Sequence, residues 1–536
     1  MKLFRRKNND TDFFELLPQA ISRLKKNIID PFFGEEDNTK VSDNPPLRSE
    51  IFTKDKLVLH AVTLAKRHIL VYNQTSEELL KRLAENEHIL LEVYALLSDN
   101  IKENNRIAPA AEWLLDNFYI IEEQIYTGKK HLPKGYSKAL PRLLKGQSAD
   151  MPRVYDMAVE IISHSDGHID LVSLTDFINA YQTVKHLKLG ELWAIPIMLR
   201  LALIENLRRL SIFIAEEITY KKLANKWADQ MISVVEKDPK NLVLVIADMA
   251  RSDPPMESTF VAELSRRLQE KGNSLSLPLN WIEQRLSEMG LTSIELIQQD
   301  NRNQAATQVS ISNSINSFRF LSTTNWREFV ENTSVVEATL RKDIDGIYGR
   351  MDFYTRDHYR HAVEKIAYNS DKKENDVAEM AIRFAKESND ANAGIKKSHV
   401  GYYLTGKGYV ATAKAAHART KTFEKLKRIT NRHPLFIYLG GITILSFLIC
   451  WGLLAEASRE KLDTLLFLAV CIIALMATTK LAVSLVNWLS TILSNPCLLP
   501  RMDFSKGIPD DARSMVVIPT LITDILSIDS LVEGLE

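Results

Sequence analysis

A mostly α-helical protein is what this 536-residue sequence predicts: a large cytoplasmic α-helical region, two transmembrane helices, and the first strand of an incomplete α/β domain. Three observations carry that prediction. Apolar residues recur at helical spacing from about residue 51 to residue 315, and again over about 325–430. Beyond residue 433 come two long stretches almost free of charge. Finally, Val516, Val517 and Ile518 form a β-branched run stopped by Pro519 and Thr520, which suits a strand buried on both faces of a parallel sheet.

Composition narrows the class. The length suits about three domains. The chain has 68 Lys and Arg against 68 Asp and Glu, so no global field favours a nucleic-acid partner. Cys450, Cys471 and Cys497 lack ligand spacing and read as small apolar residues in a reducing compartment. At the N-terminus, Asn8, Asn9, Asp10 and Asp12 stand where a signal peptide would carry its apolar core. Residues 1–50 therefore read as a cytoplasmic segment and linker.

The first helical domain is assigned to 51–315. In ELLKRLAENEHILLEVYALLSDNI (78–101), Leu79, Leu80, Leu83, Ile89, Leu90, Val93, Leu96 and Leu97 fall mainly on one stripe. LWAIPIMLRLALIENLRRLSIFIAEEI (192–218) is more apolar and should be buried, with Arg200, Glu205, Arg208 and Arg209 at its polar edge. EEDNTKVSDNPPLRSE (35–50) and QDNRNQAATQVSISNSINS (299–317) are rich in Asn, Ser and Asp and read as linkers or long loops. A second helical unit, 316–433, then contains helical patterns at 325–343, 351–368 and 375–390 and ends in a basic juxtamembrane segment.

PLFIYLGGITILSFLICWGLLA (434–455) holds no formal charge and reaches about 33 Å as a helix, enough for the hydrocarbon core. The next run, 464–493, is long for one untilted span and is divided by Thr478, Thr479 and Lys480. It reads as a second span over 462–480 and an interfacial amphipathic helix over 481–496 carrying Asn487 and Trp488. One long tilted helix is the alternative. Lys414, Arg419, Lys421, Lys425, Lys427, Arg428 and Arg432 precede the first span, against Glu424 alone. The positive-inside rule then puts both ends of the chain in the cytoplasm and makes a lipid bilayer its first partner.

Candidate chemistry up to residue 500 is weak. SHSDGHID (163–170) places His164, Asp166, His168 and Asp170 at alternate positions, a pattern that can hold metal. Ser, Asp and Gly between two helical stretches are also ordinary turn chemistry, the simpler reading. His358 and His361 share a helix face without an H-E-x-x-H pattern. Glu112, Asp116, Glu122 and Glu123 read as a surface helix rather than an acid–base pair. GKG (406–408) lacks the rest of a phosphate loop. No catalytic residue and no metal ligand is assigned to this chain.

Several longer stretches resemble the cyclic β-1,2-glucan synthase family of bacteria. They are PAAEWLLDNFYIIEEQI (109–125), LPKGYSKALPRL (132–143), PRVYDMAVEII (152–162), GELWAIPIMLRLALIENLRRL (190–210), GIYGRMDFYTRDHYRHAVE (346–364), HVGYYL (399–404) and LPRMDFSKGIPDDARSMVVIPTLI (499–522). The resemblance runs in order over roughly 75–530. It implies a large multi-pass protein of the bacterial inner membrane whose cytoplasmic glycosyltransferase domain builds β-1,2-glucan from UDP-glucose with a divalent cation, Mg or Mn. On it, residues 500–536 would begin that domain, and Pro519 and Thr520, at the strand end, would lie near the nucleotide sugar, since ligands of open α/β sheets bind at that edge.

The expectation is thus an N-terminal membrane-anchoring portion of such a synthase, truncated at the start of the transferase domain. It would need no cofactor of its own, meet UDP-glucose only when the transferase is completed, and be inactive alone. A homo-oligomer or a separate synthase partner is compatible with it. The alternative is a standalone membrane-anchored helical scaffold or regulatory protein without enzymatic activity.

Overall fold

The computed structural model describes residues 46–71, 78–103, 107–132, 140–146, 148–271, 275–391, 394–419, 434–458, 464–493, 499–505 and 507–514, with Val517, Ile528, Glu533 and Gly534 beyond them. The chain is mostly α-helical, and among the described residues the sheet is a single antiparallel pair. Two compact units divide it, Met1–Thr333 and Ser334–Glu536.

The first unit opens with α1 (Lys54–Arg67), whose N-cap Thr53 accepts a hydrogen bond from Lys56 N–H. Strand β1 (Leu70–Val71) pairs Leu70 with Leu143 and Val71 with Arg142 of β2 (Arg142–Leu143). Between them lie α2 (Glu78–Lys102), α3 (Pro109–Asp116) and α4 (Phe118–His131). On α2 six residues of the predicted stripe are buried, Leu79, Leu83, Ile89, Leu90, Val93 and Leu97, while Leu80 and Leu96 are half-buried at its edge. Next come α5 (Arg153–Ser165), α6 (Leu171–Gln182) and α7 (Leu189–Lys237).

Helix α7 has 49 residues and passes through two hydrophobic cores. Its first half, through Ile214, packs into an aliphatic core shared with α1 to α6. Further on, Ala224, Ala228 and Met231 join a separate core with α8 (Leu242–Ser252), α9 (Ser258–Gln269) and α10 (Ser276–Glu288). The expected polar edge of α7 lies inside instead. Arg200 donates to Gln124 Oε1 at 2.7 Å, and Glu205, 1% exposed, is bound by Arg82, Arg208 and Arg209.

Residues 299–317, expected as a linker, lie within one continuous helix, α11 (Ser293–Thr323), started by a Thr292–Glu295 capping box. Its small polar residues serve close packing. Thr307, Ser310, Ser314 and Ser317 form a buried stripe, and the three serines lie against the turn that joins α5 to α6. Ser317 Oγ donates to Gly167 O at 2.7 Å and accepts from Ile169 N–H at 3.0 Å, while Asn313 Nδ2 donates to Asp166 O at 3.1 Å. Gly167 has φ +78°, and a Cβ there would meet Ser314 Oγ at 2.7 Å, so both conformation and space call for glycine. With α12 (Trp326–Thr333) the first unit ends at Thr333, so the boundary falls after 333 rather than after 315.

The second unit holds α13 (Val335–Leu340), α14 (Phe353–Tyr368), α15 (Glu374–Asp390), α16 (Ile395–Ser398), α17 (Val400–Leu404) and α18 (Tyr409–Ala415). Val363, Ile366, Val377, Ala378, Ala381 and Leu404 form its centre. Apolar helices α19 (Pro434–Ala457) and α20 (Thr464–Leu493) follow and pack on each other, with Tyr438 Oη donating to Asn487 Oδ1 at 2.7 Å. Both are long and apolar enough to cross a membrane, and most of their apolar side chains are exposed. Instead of a span that breaks at Thr478–Lys480 before an interfacial helix, α20 is uninterrupted: Thr478 and Thr479 bond their hydroxyls back to Leu475 O, which leaves the helix intact. Cys450 and Cys471 are free thiols on these helices, and Cys497 lies outside the described residues. Of the expected strand Val516–Thr520, only Val517 is described; it is exposed and in no strand.

Candidate functional site

The connector that follows the two apolar helices is seated on the second helical unit. Two identical tetrapeptides make the seat: Arg350-Met351-Asp352-Phe353 and Arg501-Met502-Asp503-Phe504. Met351 and Met502 face each other in an antiparallel bridge. Asp352 N–H donates to Arg501 O at 2.9 Å, and Asp503 N–H donates to Arg350 O at 2.8 Å. Arg501 N–H adds a third bond, to Thr355 Oγ1 at 3.0 Å. The two copies differ beyond the bridge. Asp352 caps α14 by accepting from Thr355 N–H at 2.9 Å. Asp503 instead turns its chain, accepting from Ser505 N–H at 3.0 Å.

Behind this bridge sits Glu337 on α13, buried at 1% exposure. Its Oε2 accepts from Tyr348 Oη and from Arg360 Nη1, each at 2.6 Å, and its Oε1 accepts from Arg341 Nε at 2.8 Å. Arg356 Nε approaches Oε1 at 3.7 Å, and the same residue donates to Met351 O in the bridge. Burial first, then the Glu337 charge, pushes the Tyr348 phenol well above its ordinary value, so it stays a donor. Beside it runs a chain of three groups: Asp343 Oδ2 to His399 Nδ1 at 2.8 Å, and His399 Nε2 to Tyr359 Oη at 3.4 Å. Tyr359 packs on Gly401, where a Cβ would meet its hydroxyl at 2.2 Å. Every charge here is matched by partners of the same unit, so the arrangement suits positioning rather than bond chemistry.

The other predicted residues are distributed as follows. Asp166 is the left-handed C-cap of α5 and Asp170 the N-cap of α6, accepting from Ser173 N–H at 2.9 Å, so SHSDGHID performs turn chemistry. His164, His168 and Asp170 line one cleft of about 190 Å3 with Phe52 and Lys54. His361 pairs with Asp357 and Glu364, and His358 is exposed. Glu112, Asp116, Glu122 and Glu123 are all exposed. Pro519 and Thr520 lie outside the described residues.

Sequence reasoning missed a different group. Helices α1 and α5 run antiparallel and bring His60, Arg67 and His68 against Glu160, His164 and Asp156. His60 Nε2 lies 2.9 Å and His164 Nε2 3.4 Å from Glu160 Oε2, while Arg67 Nη2 donates to Glu160 Oε1 at 2.7 Å. One turn away, His68 bridges Asp156 and Tyr181 at 2.9 Å each. The signal was present as Asp156-x3-Glu160-x3-His164, one stripe of a helix.

No protein-family model matches the chain. A curated relative does: cyclic beta-(1,2)-glucan synthase NdvB of Rhizobium meliloti (strain 1021) is 31% identical over 512 residues, 94% of this chain. The chain spans 18% of the length of that relative.

Proposed function

We propose, from the premise that this chain belongs to the cyclic β-1,2-glucan synthase family, that it is the membrane-anchoring N-terminal region of a UDP-glucose-dependent glucosyltransferase that builds β-1,2-glucan. The observation that carries this reading is the 31% identity over 94% of the chain. Helices α19 and α20 are read as two spans of the inner membrane, and the basic flank before them favours both chain ends in the cytoplasm. That side is where UDP-glucose is available. The work of the second helical unit is to hold residues 501–504 at a fixed place, so that the chain entering the transferase starts from a defined point. Glucosyl transfer itself, with its divalent cation, belongs to residues downstream of those described.

Membranes carrying this chain alone are expected to incorporate no glucose from radiolabelled UDP-glucose. Membranes carrying it joined in frame to the transferase part of a related synthase are expected to do so. Incorporation by the chain alone above the empty-vector level, or a chimera that keeps full activity without residues 46–493, would overturn the reading and, in the second case, favour a dispensable scaffold. An alkaline phosphatase fusion after Glu536 is expected to be inactive; periplasmic activity would refute the two-span topology.

A further inference from the structure

We propose that His60, Glu160 and His164 form a binding site for a divalent transition metal, zinc(II) by its ligand chemistry, which fastens the segment before α1 to the α1–α5 pair. The ligand atoms of the three residues lie within 4.8 Å of one another. Zinc held tetrahedrally by nitrogen and oxygen at roughly 2.0–2.2 Å keeps its ligands about 3.3 Å apart. His164 Nε2 already stands 3.4 Å from Glu160 Oε2. The His60 Nε2 to Glu160 Oε2 distance of 2.9 Å needs to open by only about 0.4 Å to reach that spacing.

The surroundings prepare the donors. Glu50 O accepts from His164 Nδ1–H at 2.8 Å, which leaves the neutral ring's lone pair on Nε2, facing the cluster. A backbone carbonyl on the far nitrogen is how metal-bound imidazoles are usually oriented. Phe52 stacks on the His164 ring at 3.8 Å and 8° and meets the His60 ring edge-on at 5.4 Å. Arg67 occupies Oε1 and leaves Oε2 to the two histidines.

The side chains of His60, Glu160 and His164 keep 19%, 20% and 11% of their surface in contact with solvent, so an ion has a way in. Two imidazoles and one carboxylate favour zinc over magnesium or calcium, which prefer all-oxygen sets, and leave one tetrahedral position to water. Glu50 and Phe52 precede α1, so the ion would bind the leader segment through His164 as well as α1 through His60.

Isothermal titration of Zn2+ into the full chain in detergent tests this. One ion per chain is expected, with affinity weakened at least tenfold in His164→Ala and Glu160→Gln and unchanged in His168→Ala. Absence of Zn2+ binding by the wild-type chain, binding unchanged in His164→Ala, or binding lost in His168→Ala would overturn it. Should His164→Ala fail to fold, the visible spectrum of the Co2+-loaded wild-type chain decides: intense tetrahedral bands support the site, and their absence refutes it.

Discussion

Glu205 and Glu337 are both buried carboxylates attended by three arginines, yet the two regions use the arrangement differently. Glu205 stands midway along the 49-residue α7, inside a large aliphatic core, and two of its arginines, Arg208 and Arg209, come from its own helix. Only Arg82 reaches it from another element, α2, at 2.9 Å. Burial works against its charge, but Arg208 and Arg82 prevail and hold the carboxyl well below the usual range. Glu337 belongs to the six-residue α13, too short to persist alone. Its partners Tyr348, Arg356 and Arg360 lie on the following segment and on α14. In the first region apolar packing builds the fold and the ion cluster merely neutralises one helix position. In the second, the ion cluster joins the elements.

The largest effect should follow from removing each carboxylate. Glu337→Ala takes from the fully buried Arg360 one of its two carboxylate partners, leaving Asp357, and takes from Tyr348 Oη its acceptor, and is expected to cost about 3–5 kcal/mol, the cost of breaking a buried ion pair. Glu205→Ala leaves Arg208, 8% exposed, without its carboxylate, but Arg82 at 38% and Arg209 at 16% can turn to water, so it should cost less, about 1–3 kcal/mol. Hydrogen exchange read peptide by peptide would show loss of protection over 335–404 in the first variant. A larger loss in the Glu205 variant would break the comparison.

A second test exploits a carboxyl that the first unit leaves without compensation. Glu217 on α7 is 4% exposed, its Oε1 has no hydrogen-bond partner among the described residues, and burial, only partly offset by the Lys221 charge, raises its pKa to about 7 from 4.5. Because the folded state holds this proton more tightly, the contribution is favourable below pH 4.5 and is lost as pH rises through 7. Glu217→Gln should therefore flatten that decline and stabilise the protein at pH 8 by up to about 3 kcal/mol. Unchanged melting profiles at pH 5 and 8 would show that water reaches the site.

Gly167→Ala ranks next, at about 1–2 kcal/mol for the left-handed backbone, with the Ser314 clash added. Combining it with Ser314→Ala should recover only the clash, measured by thermal unfolding. Smallest is His361→Ala. Hydrogen bonds that it donates to Asp357 and Glu364 raise this imidazole to about 10, so its contribution is complete below 6.5 and fades as pH passes 10. The side chain is half exposed, so the loss at pH 8 should stay under about 0.5 kcal/mol.

Much of this architecture was legible because hydrophobic pattern reports the elements directly, as with Leu79 to Leu97 on α2 and the charge-free stretch 434–455 of α19. What escaped was polar surface used inside. Ser310, Ser314 and Ser317 look like a linker, since a small hydroxyl that bonds a neighbouring turn has the composition of a loop. Arg200 and Arg208 look solvated, since a single sequence does not display Gln124 or Glu205 beside them in space. The His60–Glu160–His164 group was half visible: His164 stands out in SHSDGHID, but beside chain neighbours that cap helices, whereas its partner His60 lies 104 positions away. The repeated Arg-Met-Asp-Phe was readable in plain letters, though its pairing was not.

That pairing makes the chain a closed loop. The bond from Arg501 to Thr355 joins residues 146 positions apart, and both apolar helices lie within the ring so formed. Closing a flexible loop of this length would cost roughly 4 kcal/mol of chain entropy. Here α19 and α20 lie back to back and already return the chain to its starting side. The pair is antiparallel, held by Tyr438 and Asn487, and residues 501–503 stay moored to Arg350, Asp352 and Thr355 at the foot of α14.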